Sequence, residues 1–174
     1  MDTINRRSAL PFAAMVALLF LGVALQTLAQ SAKDQLVGTW TLGSVYIEAP
    51  DGSRLDPFGS NPTGLLTMDG NGHISVQFIG SGLPKFASNN RLGGTPEENK
   101  AVVQGVLCYF GTYSLIDAGR TLNIHIESSS YPNWSGAEQN RFLTLTEDEM
   151  DWVNPTASIG EAGFTGHTVW KRAK

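Results

Sequence analysis

From Leu36 onward, apolar and polar residues alternate along most of the chain. Ile74, Val76 and Phe78 are interleaved with His73, Ser75 and Gln77. Leu122, Ile124 and Ile126 are interleaved with Asn123, His125 and Glu127 in the same way. A period of two puts one set on each face of a strand, so each segment reads as a half-buried strand. The pattern predicts strands over Leu36–Glu48, Gly64–Met68, His73–Ile79, Tyr109–Ile116, Thr121–Ser128, Asn140–Thr146, Glu149–Val153 and Gly166–Arg172. Turn residues separate them: Asp51-Gly52, Asp69-Gly70-Asn71-Gly72, Asp117-Ala118-Gly119 and Glu147-Asp148. Asn and Gly tolerate the positive φ that a tight hairpin needs, which makes the Asp69–Gly72 tetrad the clearest of these.

One stretch changes period. Thr95-Pro96-Glu97-Glu98 has the form of a capping box, in which Thr95 accepts from an amide near Glu98 and Glu98 reaches back to the amide of Thr95. Pro96 sits where a helix's first N–H has no partner in any case. Val102, Val103, Val106 and Leu107 then mark one apolar stripe. A helix over Pro96–Val106, packed against the barrel, is expected. Gly93-Gly94 supplies a flexible entry, so the helix is either a lid or a fixed plug.

Eight strands in mainly hairpin order predict an all-β fold: an eight-stranded antiparallel up-and-down barrel with one short helix inserted. Closure satisfies every strand edge and leaves room for one small ligand. Asp56–Pro62 and Asn154–Gly163 read as loops at the barrel ends. Ahead of the barrel, Arg6-Arg7, the apolar run Ala9–Leu25 and Thr27-Leu28-Ala29 follow the order of a secretory signal. Residues 1–29 are therefore expected to be a cleaved signal peptide and residues 30–174 the barrel domain. A retained anchor is the competing reading, because the run is of borderline length to span a bilayer. The Arg6-Arg7 pair leaves the choice between general and twin-arginine export open. After cleavage the protein is expected to be extracytoplasmic, periplasmic or secreted, with no stable membrane insertion.

Composition narrows the class. Of 174 residues, 41% are apolar and 16% charged, a globular balance. The net charge is −4, with no basic stripe, which argues against nucleic acid as a partner. A single cysteine, Cys108, rules out an internal disulfide or a cysteine-built zinc site. It lies in an apolar run and reads as a buried thiol. His73 and His167 have no carboxylate or histidine at ligand spacing, so no metal site is expected.

Several motifs carry a resemblance. Leu36-Val37-Gly38-Thr39-Trp40 resembles the Gly-x-Trp opening of lipocalins. Pro57-Phe58-Gly59, Gly64-Leu65-Leu66, Gly72-His73-Ile74-Ser75-Val76-Gln77, Gly94-Thr95-Pro96-Glu97-Glu98 and Tyr109-Phe110-Gly111-Thr112-Tyr113 follow in order. His125-x-Glu127 and Tyr131-Pro132-Asn133-Trp134-x-Gly136, then Gln139 and Arg141, complete the set. In this order they resemble the bacterial and fungal lipocalin-like domain family. The resemblance implies a lipocalin-like barrel closed at its base by Trp40. It also implies a basic partner over the indole from Lys171 or Arg172, with Arg172 as the candidate. It carries no general ligand or catalytic set.

The candidate chemistry is polar. His125 and Glu127 face either solvent, which hydropathy favours, or the interior, which the motif favours. Facing inward, Glu127 would hold the imidazole tautomer and make His125 a base. Arg141 shares its strand face with Leu143 and Leu145. It is either a rim residue or an anion anchor inside the cavity, with Glu127 as its expected partner. Tyr109 and Tyr113 share one face, with Gly111 between them opening space, and they either line a pocket or pack as core. Asn133 and Trp134 lie in a loop of the kind that forms a pocket mouth. The candidate ligand-binding set is therefore Tyr109, Tyr113, His125, Glu127, Asn133, Trp134 and Arg141.

These readings lead to an exported protein that binds a small hydrophobic or amphipathic molecule in a barrel cavity, with no cofactor. The alternative is a cofactor-independent cyclase, isomerase or hydratase using a pocket built on His125 and Glu127.

Overall fold

Leu122, Ile124 and Ile126 are fully buried, while His125 and Glu127, which alternate with them, are exposed. The period-two pattern is thus a division between the inside and outside of a sheet, repeated strand after strand. The computed structural model describes residues 32–155, 159 and 163–174. The expected signal segment lies outside the described residues, as does part of the Asn154–Gly163 loop.

Nine strands form one antiparallel sheet among the described residues. They are β1 (Gly38–Glu48), β2 (Arg54–Leu55), β3 (Thr63–Met68), β4 (His73–Ile79), β5 (Val106–Ile116), β6 (Thr121–Ser129), β7 (Glu138–Leu145), β8 (Glu149–Asn154) and β9 (Thr165–Arg172). Each pairs with its neighbour in sequence from β3 to β9, and β1 pairs with both β3 and β9. That last pairing runs from Trp40↔Arg172 to Glu48↔Thr165 and closes an eight-stranded barrel. The two-residue β2 is a stub folded back on the end of β1. A closed barrel leaves no long unpaired edge to template aggregation.

The interior is packed, not hollow. Phe58, Phe78, Trp170 and Trp152 form a continuous run of ring contacts with centroid separations of 5.4, 5.3 and 5.6 Å. Leu66, Val76, Leu122, Ile124, Ile126 and Met150 fill the space around them. Each such side chain contributes roughly 1.5–3 kcal/mol on burial.

One end of the barrel is sealed. A helical segment over residues 32–36 lies below it, and the Trp40 indole Nε1 donates to the Leu36 carbonyl at 3.0 Å. The Arg172 guanidinium stands 4.1 Å from the Trp40 ring centroid. It also donates to the carbonyls of Gln35, Val37 and Glu147 at 2.6, 3.3 and 2.8 Å. One side chain thereby ties β9 to the chain entering β1 and to the β7–β8 turn.

The helix runs over Pro96–Gly105, with both halves of the capping box formed between Thr95 and Glu98. Glu98 also accepts from the amide of Ala87, which anchors the preceding loop. The expected packing against the barrel is not observed. No residue of the helix is buried, and Val103 is 78% exposed. The stripe fails because the helix stops at Gly105. Val106 and Leu107, half of the expected apolar face, belong to β5. The helix therefore does not plug the barrel; it is a capped connector between β4 and β5.

Candidate functional site

The interior is open at the end opposite Trp40. A cavity of about 60 Å³ lies there. Its walls come from β1, β4, β5, β7, β8 and β9, and its rim from the loops carrying Pro57, Phe58, Trp134 and Ile159. The lining is mostly aromatic and aliphatic: Phe58, Phe78, Tyr109, Trp134 and Trp152 dominate it. Trp134 is held over the mouth by edge-on contacts to Tyr109 and Tyr131, at 5.6 and 6.0 Å. On the outer face beside the mouth, Tyr46 stacks on His167 at 4.6 Å, with Arg54 above it at 4.2 Å.

Arg141 is the polar centre of this cavity. It lies on the inner face of β7 with Leu143 and Leu145 and is 4% exposed. Its Nη1 donates to the Asn140 carbonyl at 2.9 Å and its Nη2 donates to Gln139 Oε1. Its guanidinium carbon lies 6.0 Å from the Trp134 ring centroid. Burial pulls the guanidinium below its ordinary value, and the Tyr109 hydroxyl opposes this. Burial likewise pushes the Tyr109 phenol up, opposed by the charge and hydrogen bond of Arg141. An arginine remains cationic at neutral pH even so. Among the described residues, no carboxylate is within ion-pair distance of it.

The remaining candidates are dispersed. His125 points outward from β6, where its Nδ1 lies 2.8 Å from Glu138 Oε1 across the strand pair. Glu127 is on the same outer face, beside a shallow furrow that also passes His73 and Phe110. The inward reading of His125 and Glu127 is therefore corrected, and with it the pocket base and the Glu127–Arg141 pair. Strand parity separates Glu127 from Arg141: one is on the outer wall and the other on the inner. Tyr113 is also remote from the mouth. Its hydroxyl donates to the Asp69 carbonyl at 2.7 Å, at the Trp40 end of the barrel. Burial pushes its phenol up to about 12, with Asp69 and Asp34 adding to the shift. Asn133 is exposed and donates to the Tyr131 hydroxyl at 3.1 Å.

Gly111 does not make room for a ligand. A Cβ there would meet the His125 carbonyl oxygen at 1.9 Å, next to the β5–β6 irregularity between Phe110 and Gly111. Glycine is required by the close approach of two backbones. Of the seven candidates, then, the fold gathers Tyr109, Trp134 and Arg141 in one cavity. Sequence reasoning missed Phe58 and Trp152 in that lining. Phe58 and Trp152 were visible as large apolar residues beside turn signals, at strand ends where a barrel mouth must lie.

The lipocalin-like domain family profile matches residues 37–173. The chain is also 34% identical over 95 residues to the 4'-hydroxy-3'-methoxypropiophenone carrier protein ppsC of Aspergillus oryzae. That alignment covers 50% of this chain and 86% of the fungal protein.

Proposed function

This chain belongs to the lipocalin-like domain family, and from that premise we propose that it is an exported carrier of a small, mostly hydrophobic aromatic molecule. The observation that supports this reading is the aromatic-walled cavity at the open end of the barrel. Its size restricts the cargo. About 60 Å³ is well below the roughly 150 Å³ of an engineered cavity that admits benzene. It is further below the ~300–1,000 Å³ of drug-sized sites. A long-chain lipid has no room inside a barrel filled by Trp40, Trp152 and Trp170. The ligand is a compact ring compound with one end inserted and the other lying over Pro57, Phe58 and Ile159. The cargo in the fungal relative's name, a propiophenone with hydroxyl and methoxy groups, is a molecule of that kind. Export rests on the order of charge, apolar run and small residues over the first 29 positions.

Titration of the protein, purified as its host processes it, with 4'-hydroxy-3'-methoxypropiophenone, acetophenone and palmitate tests the proposal. Trp134 and Trp152 serve as intrinsic fluorescent reporters. Saturable quenching by at least one aromatic ketone, with a raised Tm and no response to palmitate, is expected. Absence of saturable binding by every aromatic compound, or preferential binding of palmitate, would overturn it.

A further inference from the structure

Among the described residues that line the cavity, Arg141 is a cation and none is an aspartate or glutamate. Arg141 brings five N–H groups; the neutral oxygens of Gln139 and Asn140 take up two of them, and the Tyr109 hydroxyl engages another. Its charge is buried among Tyr109, Trp134 and Leu143 without a counter-ion among the described residues. Trp152 lines the same cavity, is 2% exposed, and its indole Nε1 has no acceptor. Two features that normally destabilise a core therefore meet in one small space: an uncompensated buried cation and an orphaned buried donor. A purely apolar cargo would satisfy neither. A cargo with an ionised oxygen would satisfy both.

We propose that the cargo is an aromatic anion whose charged oxygen, carboxylate or phenolate, docks on Arg141 within reach of the Trp152 N–H. This inference rests on the carrier reading of the same cavity and adds the chemical class of the head group. Arg141 is the anchor that selects charge; Phe58, Tyr109 and Trp134 receive the ring. A guanidinium fork suits a carboxylate better than a point charge does. The dry, ring-lined surroundings strengthen the pairing relative to water.

The test compares ions with neutral isosteres of the same shape. Benzoate is titrated against benzamide at neutral pH, and 4-nitrophenolate against 4-nitroanisole in mildly alkaline buffer, by calorimetry. At least one anion is expected to bind about tenfold or more tightly than its neutral partner, as charge-assisted hydrogen bonds allow. A preference confined to one pair identifies the head group. Arg141→Gln is expected to abolish the preference; Arg141→Lys is expected to retain part of it. Equal binding of ion and neutral partner by the unmodified protein overturns the inference and leaves the carrier reading standing. Binding of none of the four compounds overturns both. The unmodified protein decides the question even if an Arg141 variant fails to fold.

Discussion

Tyr109 and Tyr113 stand on one inner face of β5, one turned toward the ligand cavity and the other sealing the far end. Burial raises both phenols, and at Tyr113 the acidity is displaced to about 12. A tyrosine in the unfolded chain ionises near pH 10. Below that pH the buried phenol stabilises the fold in full. Between about pH 10 and about 12 the unfolded chain loses a proton that the folded chain keeps, so stability falls as pH rises. Urea midpoints measured across that window are expected to decline, and Tyr113→Phe is expected to shallow the decline. At the opposite extreme, His125→Ala is expected to change stability by no more than about 1 kcal/mol, since exposed pairs such as His125–Glu138 contribute little. The same variant is expected to leave aromatic binding unchanged in the fluorescence titration. The sequence showed that Arg141 shared a face with Leu143 and Leu145. It did not show that this face was dry enough to bury the charge, because Gln139, Trp134 and Tyr109 converge only in three dimensions. His125 presented the opposite problem. Its strand alternation indicated solvent, and the motif around it suggested otherwise; alternation prevailed because Leu122, Ile124 and Ile126 have nowhere else to go.

Alternation and turn chemistry fixed the strands to within a few residues at most ends. Asp69–Gly72 forms the β3–β4 connection with Gly72 at φ +95°, a conformation that L side chains rarely adopt. The helix was equally visible at its start, through Thr95 and Glu98, and misleading at its end. The valines that suggested one helical face are divided between a helix and a strand, and no local signal separates those assignments for a β-branched run. The consequence is measurable. Thr95→Ala removes a cap worth about 1 kcal/mol, yet the helix has no buried side chain. Amide exchange across Glu98–Gly105 is expected to quicken several-fold, while the global unfolding midpoint shifts by less than about 0.5 kcal/mol. A large global loss would mean that the helix holds the barrel together.

At the scale of the whole molecule the barrel has a closed end and an open end. Trp40 and Arg172 seal the first, and aromatic residues ring the second. Arg172→Ala deletes the cation–π contact and three hydrogen bonds to Gln35, Val37 and Glu147. The expected cost is about 1–3 kcal/mol in urea unfolding, with aromatic binding at the far end preserved. That the interior would be filled was not legible in strand count alone. Eight strands enclose either side chains or a ligand, and here Trp152, Trp170 and Phe78 occupy the space. The carrier account therefore depends on where a ligand sits. The most direct measurement is an NMR titration of the ¹⁵N-labelled protein with benzoate, following the indole and guanidinium N–H signals. The account predicts saturable shifts at Trp134, Trp152 and Arg141, with Trp40 and Arg172 unmoved. Shifts confined to the outer wall around His73 and Glu127, or none at the mouth at saturating benzoate, would contradict it.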